Sequence, residues 1–240
     1  MSLSFEALLV LGIIGFYLYD SMMLLRYDEV VFSEAFGRWT FSHPDNNLRV
    51  RNRALFLPNP LTPFKPTFRL AWSPNDPPLA EGSTDELLKV VGVTRPLGFV
   101  VMLLQAEMLL VLPAVIFTRG TDLIFLGTLA AIYLTILLAL GLVYANRAGL
   151  ALSNKKFASL AFDSLACPPF AINLLRKITL TKATGLNPVA YAHKHFTKEC
   201  FADLASKIKE RLTEAMDYGE DAGQYNALKA YHDHLTELAK

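Results

Sequence analysis

Charged side chains are scarce in this chain, and their scarcity is uneven. Aspartate, glutamate, lysine and arginine make up 19% of the 240 residues, against about 25% in an ordinary soluble domain. None occurs from Leu123 to Asn146, and Glu107 alone interrupts the stretch from Pro96 to Thr118. Elsewhere the charge density is that of a soluble domain. Such segregation is the pattern of a membrane protein with extramembrane parts.

Other scarcities narrow the chemistry. Only two cysteines occur, Cys167 and Cys200, without metal or redox spacing, so they read as free, buried, apolar side chains. The apolar runs hold no histidine, which leaves a b-type haem no ligand there, and no C-x-x-C-H is present. P-loop, G-x-G-x-x-G, G-x-S-x-G and H-E-x-x-H patterns are missing. No cofactor or metal is expected. His193 and His195, and again His232 and His234, form H-x-H pairs. On a helix such neighbours point about 200° apart, so they are expected as exposed side chains rather than chelators. The net charge of +1 gives no argument for nucleic acid.

What remains is hydrophobic length. Three stretches are long enough for a hydrocarbon core, which needs about 20 residues. The first covers residues 5–25. A cleaved signal peptide would need a basic start and a small-residue cleavage site. Here Glu6 is the only charge before the run, which ends in Met22, Met23, Leu24 and Leu25. An uncleaved anchor is expected. The second covers residues 96–117, with Pro96 in its first turn and Pro113 bending its far end. The third covers residues 122–144, capped by Thr121 or Asp122. The short link at 118–121 makes the last two an antiparallel hairpin. A fourth run, residues 157–175, is interrupted by Asp163 and by Pro168-Pro169. It reads as an interfacial or re-entrant segment whose flanking Lys155, Lys156, Arg176 and Lys177 face anionic headgroups.

Of the 23 lysines and arginines, 22 lie between the first and second spans or after the third. The positive-inside rule therefore puts the N-terminus outside and the C-terminus in the cytoplasm. A bacterial inner membrane is expected, since no eukaryotic targeting signal occurs.

The fold expected is mainly α. Its parts are an anchor at 1–26, a cytoplasmic loop at 27–95, a transmembrane hairpin at 96–146, an interfacial segment at 147–186 and a cytoplasmic helical hairpin at 187–240. Within the loop, the opening to Phe41 is expected to extend the first helix. LRVRNRALFLP and TFRLAW alternate like strands and suggest a small β-hairpin, with Phe68, Leu70 and Trp72 on one face. Proline-rich PNPLTPFKP joins them. Ser83 and Glu86 fit a capping box for a short helix to Val91. In the tail, Asn187 caps a helix striped by Phe196, Cys200, Leu204, Ile208, Leu212 and Met216, with a stop at Gly219. Tyr225, Leu228, Tyr231, Leu235 and Leu238 stripe a second.

Four intramembrane polar residues stand out: Asp20, Gln105, Glu107 and Asp163. A carboxylate at bilayer depth costs a few kcal/mol if charged and unpaired. Glu107 is therefore a candidate acid, base or ion relay. Its plainer use is a hydrogen bond to Thr128, Tyr133 or Thr135. Asp20 is expected to anchor to Arg26 or Arg95. Arg49, Arg51 and Arg53 on one strand face make a candidate site for lipid phosphate, because guanidinium forks match phosphate oxygens. That loop's nine cations are nearly balanced by eight acids, which argues again against nucleic acid.

The function expected is that of a non-catalytic accessory, scaffold or assembly subunit, touching membrane phospholipid and either a membrane-protein partner or further copies of itself. A lipid-handling enzyme using Glu107 with the arginine row, or an ion-conducting oligomer lined by Glu107, are the alternatives.

Overall fold

The computed structural model describes the chain except residues 1–3, 36–37, 43–47, 51–52, 74–84, 119, 183–185, 218–221 and 239–240. In chain order its elements are α1 (Phe5–Ser21), β1 (Met23–Leu25), β2 (Glu29–Ala35), β3 (Arg38–Ser42), β4 (Arg49–Val50), β5 (Arg53–Phe56), β6 (Thr67–Ala71) and α2 (Asp85–Ala106). A π turn (Glu107–Val111), α3 (Leu112–Phe117), α4 (Asp122–Ala145), α5 (Asn154–Ala166), α6 (Pro168–Ala171) and α7 (Leu174–Leu180) follow. The chain ends with α8 (Pro188–His195), α9 (Lys198–Asp217) and α10 (Ala222–Leu238). The protein is mainly helical, as expected, and its residues divide into two compact units that interleave along the chain.

The helical unit holds Met1–Met22, Leu57–Thr67 and Leu88–Thr181. Among the described residues two helices are long and apolar enough to cross a membrane: Leu87–Phe117, with a mean hydropathy of 2.3, and Asp122–Ala145, with 2.5. The first is one continuous rod from α2 to α3, so the short helix to Val91 and the span starting at Pro96 are a single element. Pro96 lies inside it rather than in its first turn. The Thr121 side chain caps α4 by accepting from the Ile124 N–H at 3.4 Å. The run at 157–175 forms no spanning helix. It breaks at Cys167, because Pro168 and Pro169 lack N–H groups and start the new helix α6.

The other unit holds Met23–Phe56, Phe68–Leu87 and Lys182–Lys240. Instead of one hairpin, its described residues form two three-stranded sheets, ordered β1-β5-β4 and β3-β2-β6. The helix expected to continue to Phe41 stops at Ser21. Residues beyond it form β1, β2 and β3, and β2 and β3 pair antiparallel from Val31↔Ser42 to Ala35↔Arg38. Val30, Val31 and Phe32 are all buried, and β-branched runs of this kind favour strands. The strands anticipated in LRVRNRALFLP and TFRLAW join different sheets: β5 pairs with β1 and β4, while β6 neighbours β2. Phe68, Leu70 and Trp72 are buried and Arg69 is exposed, as the alternation predicts.

The tail is a hairpin of α9 and α10 preceded by a separate helix. Asn187 caps α8 with its side-chain oxygen, accepting from Val189 and Ala190. The helix then breaks at Phe196, whose backbone is extended. The buried stripe of α9 is Phe201, Leu204, Ala205, Ile208 and Leu212. Cys200 is exposed, contrary to expectation. Every-fourth-residue spacing drifts about 40° per step around a helix, so a strict series leaves the buried face. Gly219 and Ser83 lie outside the described residues.

Candidate functional site

The polar chemistry of the helical unit gathers around the proline-rich segment Leu57–Thr67. Pro58, Pro60, Pro63 and Pro66 remove four N–H donors from it. Fewer donors make irregular backbone cheaper to bury, since each unmet polar group is costly away from water. The Asn59 side chain turns the chain by accepting from Leu61 N–H at 2.9 Å. At Gly98 the segment comes so close to α2 that a Cβ would lie 3.1 Å from the Phe64 carbonyl oxygen.

This turn aims two carbonyls inward. The Pro60 oxygen accepts from the Tyr17 hydroxyl at 2.5 Å and from the Gln105 amide at 3.1 Å. The Asn59 oxygen accepts from Arg176 Nη2 at 2.5 Å. One short irregular stretch thus ties together α1, α2 and α7.

Asn173 makes a second tie. Its amide donates to the Tyr17 carbonyl at 3.3 Å and to Asp20 Oδ2 at 3.1 Å, and its oxygen accepts from the Ser21 hydroxyl at 3.1 Å. Asp20 pairs with Lys177 Nζ at 2.7 Å, not with Arg26 or Arg95. The cause is local: α1 stops at Ser21, and Arg26 pairs with Asp28 at 3.1 Å. Lys177 also lies over the Phe170 ring, 4.8 Å from its centre. Asp163, half-buried on α5, supplies the carbonyl that accepts the Cys167 N–H at 3.0 Å.

Glu107 opens the π turn. The Leu112 N–H reaches back to the Glu107 carbonyl, five residues away. Pro113 follows at once, and a widened turn relieves the clash a proline ring makes with the preceding turn of an α-helix. The Thr135 hydroxyl, from α4, donates to Glu107 Oε1 at 3.1 Å. Glu107 Oε2 is buried with no hydrogen-bond partner. Thr128 instead donates to the Ile124 carbonyl, and Tyr133 to that of Leu165.

The arginine row does not form a single strand. Arg49 begins β4 and Arg53 begins β5, in a register that pairs Val50 with Arg53. Arg53 is exposed, and Arg51 lies outside the described residues. The histidines are dispersed: the His193 ring packs on Phe201, His195 on Tyr191, and His232 lies 3.3 Å from Asp233. Among the described residues no three of His, Cys, Asp and Glu are placed to hold a metal.

Arg176 was not singled out by the sequence, which grouped it with Lys177 as a headgroup-facing pair. It is only 3% exposed. Its Nε and Nη1 are buried and meet no hydrogen-bond partner. Burial pushes its guanidinium below the ordinary arginine value, and the adjacent Tyr17 works the other way. Tyr17, Asn59, Pro60 and Asn173 likewise gave no local signal beyond a lone asparagine in an apolar run. The cluster's chemistry is that of a donor-rich cationic site facing carbonyls, with the Asp20–Lys177 ion pair beside it already closed.

No protein-family model matches the chain, and neither a curated protein nor a solved structure does.

Proposed function

We propose that this chain is a multi-pass integral membrane protein acting as a non-catalytic accessory or scaffold subunit. In this reading α1 joins Leu87–Phe117 and Asp122–Ala145 as a third span. Its 17 residues reach about 25 Å at 1.5 Å per residue, close to the hydrocarbon thickness. The lysine and arginine distribution puts the N-terminus outside and the mixed α/β unit in the cytoplasm. That unit is the surface offered to a partner.

The observation that carries the membrane assignment is the outward apolar surface. Only 22% and 28% of the two most apolar windows are buried. Leu123, Leu126, Leu134 and Phe99 stand in the open, and so continuous an exposed apolar surface suits lipid. The non-catalytic role is supported by Glu107, whose nearer oxygen is taken by Thr135 inside the bundle. A free Oε2 is what keeps the ion-handling alternative in view.

Two measurements test this. Cys200 is exposed and Cys167 half-buried, so Cys200 is a native topology reporter. An impermeant maleimide is expected to label it in inverted vesicles and not in intact cells. Labelling from outside, or release of the chain from membranes by alkaline carbonate, refutes the assignment. Glu107→Gln is expected to leave assembly of the protein with its partners intact. Loss of function with normal folding and assembly moves the reading to ion or proton handling.

A further inference from the structure

The helical unit buries a cation that meets no counter-charge among the described residues. Arg176 offers five N–H donors, and its hydrogen bond to the Asn59 carbonyl, a neutral acceptor, uses Nη2 alone. Nε and Nη1 are buried without partners. Around them lie the Tyr17 hydroxyl, the Asn59 and Pro60 carbonyls and the Gln105 amide, none of them anionic. The acid in reach of this end of α1, Asp20, is engaged by Lys177 at 2.7 Å and by Asn173. A buried, unpaired charge is among the most expensive features a protein can hold. Bundles keep such groups where something else completes them.

We infer that Arg176, with Tyr17 and Gln105 beside it, is the recognition site for a phosphate-bearing anion, supplied by the headgroup of an anionic phospholipid of the cytoplasmic leaflet. Three features fit that chemistry. A guanidinium matches phosphate oxygens, and a hydroxyl and an amide supply further donors. Tyr17 lies one turn before Ser21, the last residue of α1, which on the membrane reading sets the Tyr17 side of the site towards the cytoplasmic leaflet. Carbonyls of the proline-rich turn occupy the donors that a phosphate would take. The lipid source rests on the membrane reading above; the anion chemistry does not. It draws on neither Arg49 nor Arg53.

The test uses the full-length protein, delipidated in dodecyl maltoside, with thermal unfolding followed by tryptophan fluorescence. Dioleoylphosphatidylglycerol is expected to raise the midpoint by a few degrees, and dioleoylphosphatidylcholine by much less. Arg176→Gln is expected to abolish that rise, while without lipid it unfolds no earlier than wild type, because an unpaired charge has been removed. Lys155→Gln with Lys156→Gln, at exposed positions, is expected to keep the full rise. Should Arg176→Gln not fold, Arg176→Lys keeps the charge without the fork and is expected to need more lipid for the same rise. Inorganic phosphate is the second arm. A rise with phosphate but not with the lipid, lost in the Arg176 variant, keeps the anion site and removes the lipid source. The same result on a chain soluble without detergent would defeat the membrane reading alone. No rise with either anion, or a rise that Arg176 variants retain in full, overturns the proposal.

Discussion

The two units of this protein use the same amino acids in opposite ways. In the mixed unit aromatic rings pack against one another. Phe32 is fully buried between Tyr191 and Phe196, at ring distances of 5.8 and 5.9 Å. Trp39 lies against Phe68, and Trp72 stacks on Tyr231 at 5.2 Å. Two of its arginines, Arg53 and Arg69, are exposed. In the helical unit large apolar side chains stand outward, with Leu123 78% and Leu134 67% exposed. Asn173, Arg176, Thr179 and Ser21 are buried there beside apolar residues such as Leu104 and Ile136. Burial of apolar area drives a fold only where water is the alternative. Where lipid is the alternative, close packing and polar ties between helices must do more of the holding. The contrast is what one chain in two solvents would produce.

The sharpest way to break that contrast is to remove one large apolar group from each unit. Phe32→Ala is expected to cost about 3–5 kcal/mol, as for buried aromatics generally. Leu134→Ala is expected to stay within about 0.5 kcal/mol in detergent, because that side chain has no protein cavity to leave behind. Hydrogen exchange read by mass spectrometry, peptide by peptide, reports each unit separately. A large loss of protection around α4 in Leu134→Ala would mean that this face packs on protein rather than on lipid.

A polar truncation should rank next, and in the other unit. Asn173→Ala removes one amide that bonds Tyr17, Asp20 and Ser21. At about 1 kcal/mol for each lost bond, the expected cost is about 2–3 kcal/mol. Faster exchange is expected in α1 and α7, with β2 and β3 unchanged. Asn173→Asp is expected to be worse, since it puts a second carboxylate beside Asp20. If Asn173→Ala is silent, polar ties do not hold the helical unit.

How much of this could be read from sequence follows from how local each signal is. α4 was legible from Thr121 to its last turn, because its cap and its uncharged run are adjacent in the chain. The buried face of β6 was legible from simple alternation. So was the middle of the second tail stripe, since Leu228, Tyr231 and Leu235 recur at helical spacing and are buried, while Tyr225 is exposed and Leu238 half-buried. β2 was not, because EVVFSEA carries only a short apolar run, Val30 to Phe32, that a helix or strand can equally contain. The break at Phe196 was missed for a related reason: Thr197 starts α9 by accepting from the Cys200 N–H at 3.4 Å, a weak cap inside a convincing stripe. The site itself was least legible. Glu107 announces itself as an acid in a long apolar run, whereas Asn59, Asn173 and Arg176 gain meaning only from partners more than a hundred residues away in sequence. For Arg176, that separation from Asn59 is 117 positions.

Thr135→Val probes the intermediate case, a single polar bond between two apolar helices. It keeps the shape of the side chain and leaves both Glu107 oxygens without a donor. Single polar contacts between membrane helices average about 0.6 kcal/mol, and an unmet buried group costs about 1–3 kcal/mol. An expected loss of about 1 kcal/mol lies between them. Thermal unfolding of Thr135→Val, Glu107→Gln and the double variant measures the coupling. Additive effects would show that the 3.1 Å contact contributes nothing, and the helical unit would then rest on packing alone.

The smallest effect is expected in the mixed unit, and it depends on pH. Asp28 has one oxygen, Oδ1, buried without a partner, while Oδ2 meets Arg26 at 3.1 Å. Burial raises its pKa above the ordinary aspartate value; Arg26, its backbone contact and Arg211 oppose the shift, and Glu29 adds to it. A folded-state pKa above the unfolded one means that the native state holds the proton more tightly. The stability this contributes is complete below the unfolded value of about 3.9 and is lost as pH rises through the raised folded value. At neutral pH the unit therefore carries the cost of a half-desolvated carboxylate. Asp28→Asn removes that charge at similar size, so a slight gain in thermal midpoint is expected at pH 7, shrinking towards pH 4. Midpoints that stay parallel across this range would mean that Asp28 titrates alike in both states. A variant less stable at pH 7 would mean that attraction to Arg26 and Arg211 outweighs burial. The polar rim of the mixed unit would then be held as tightly as the buried ties of the helical one.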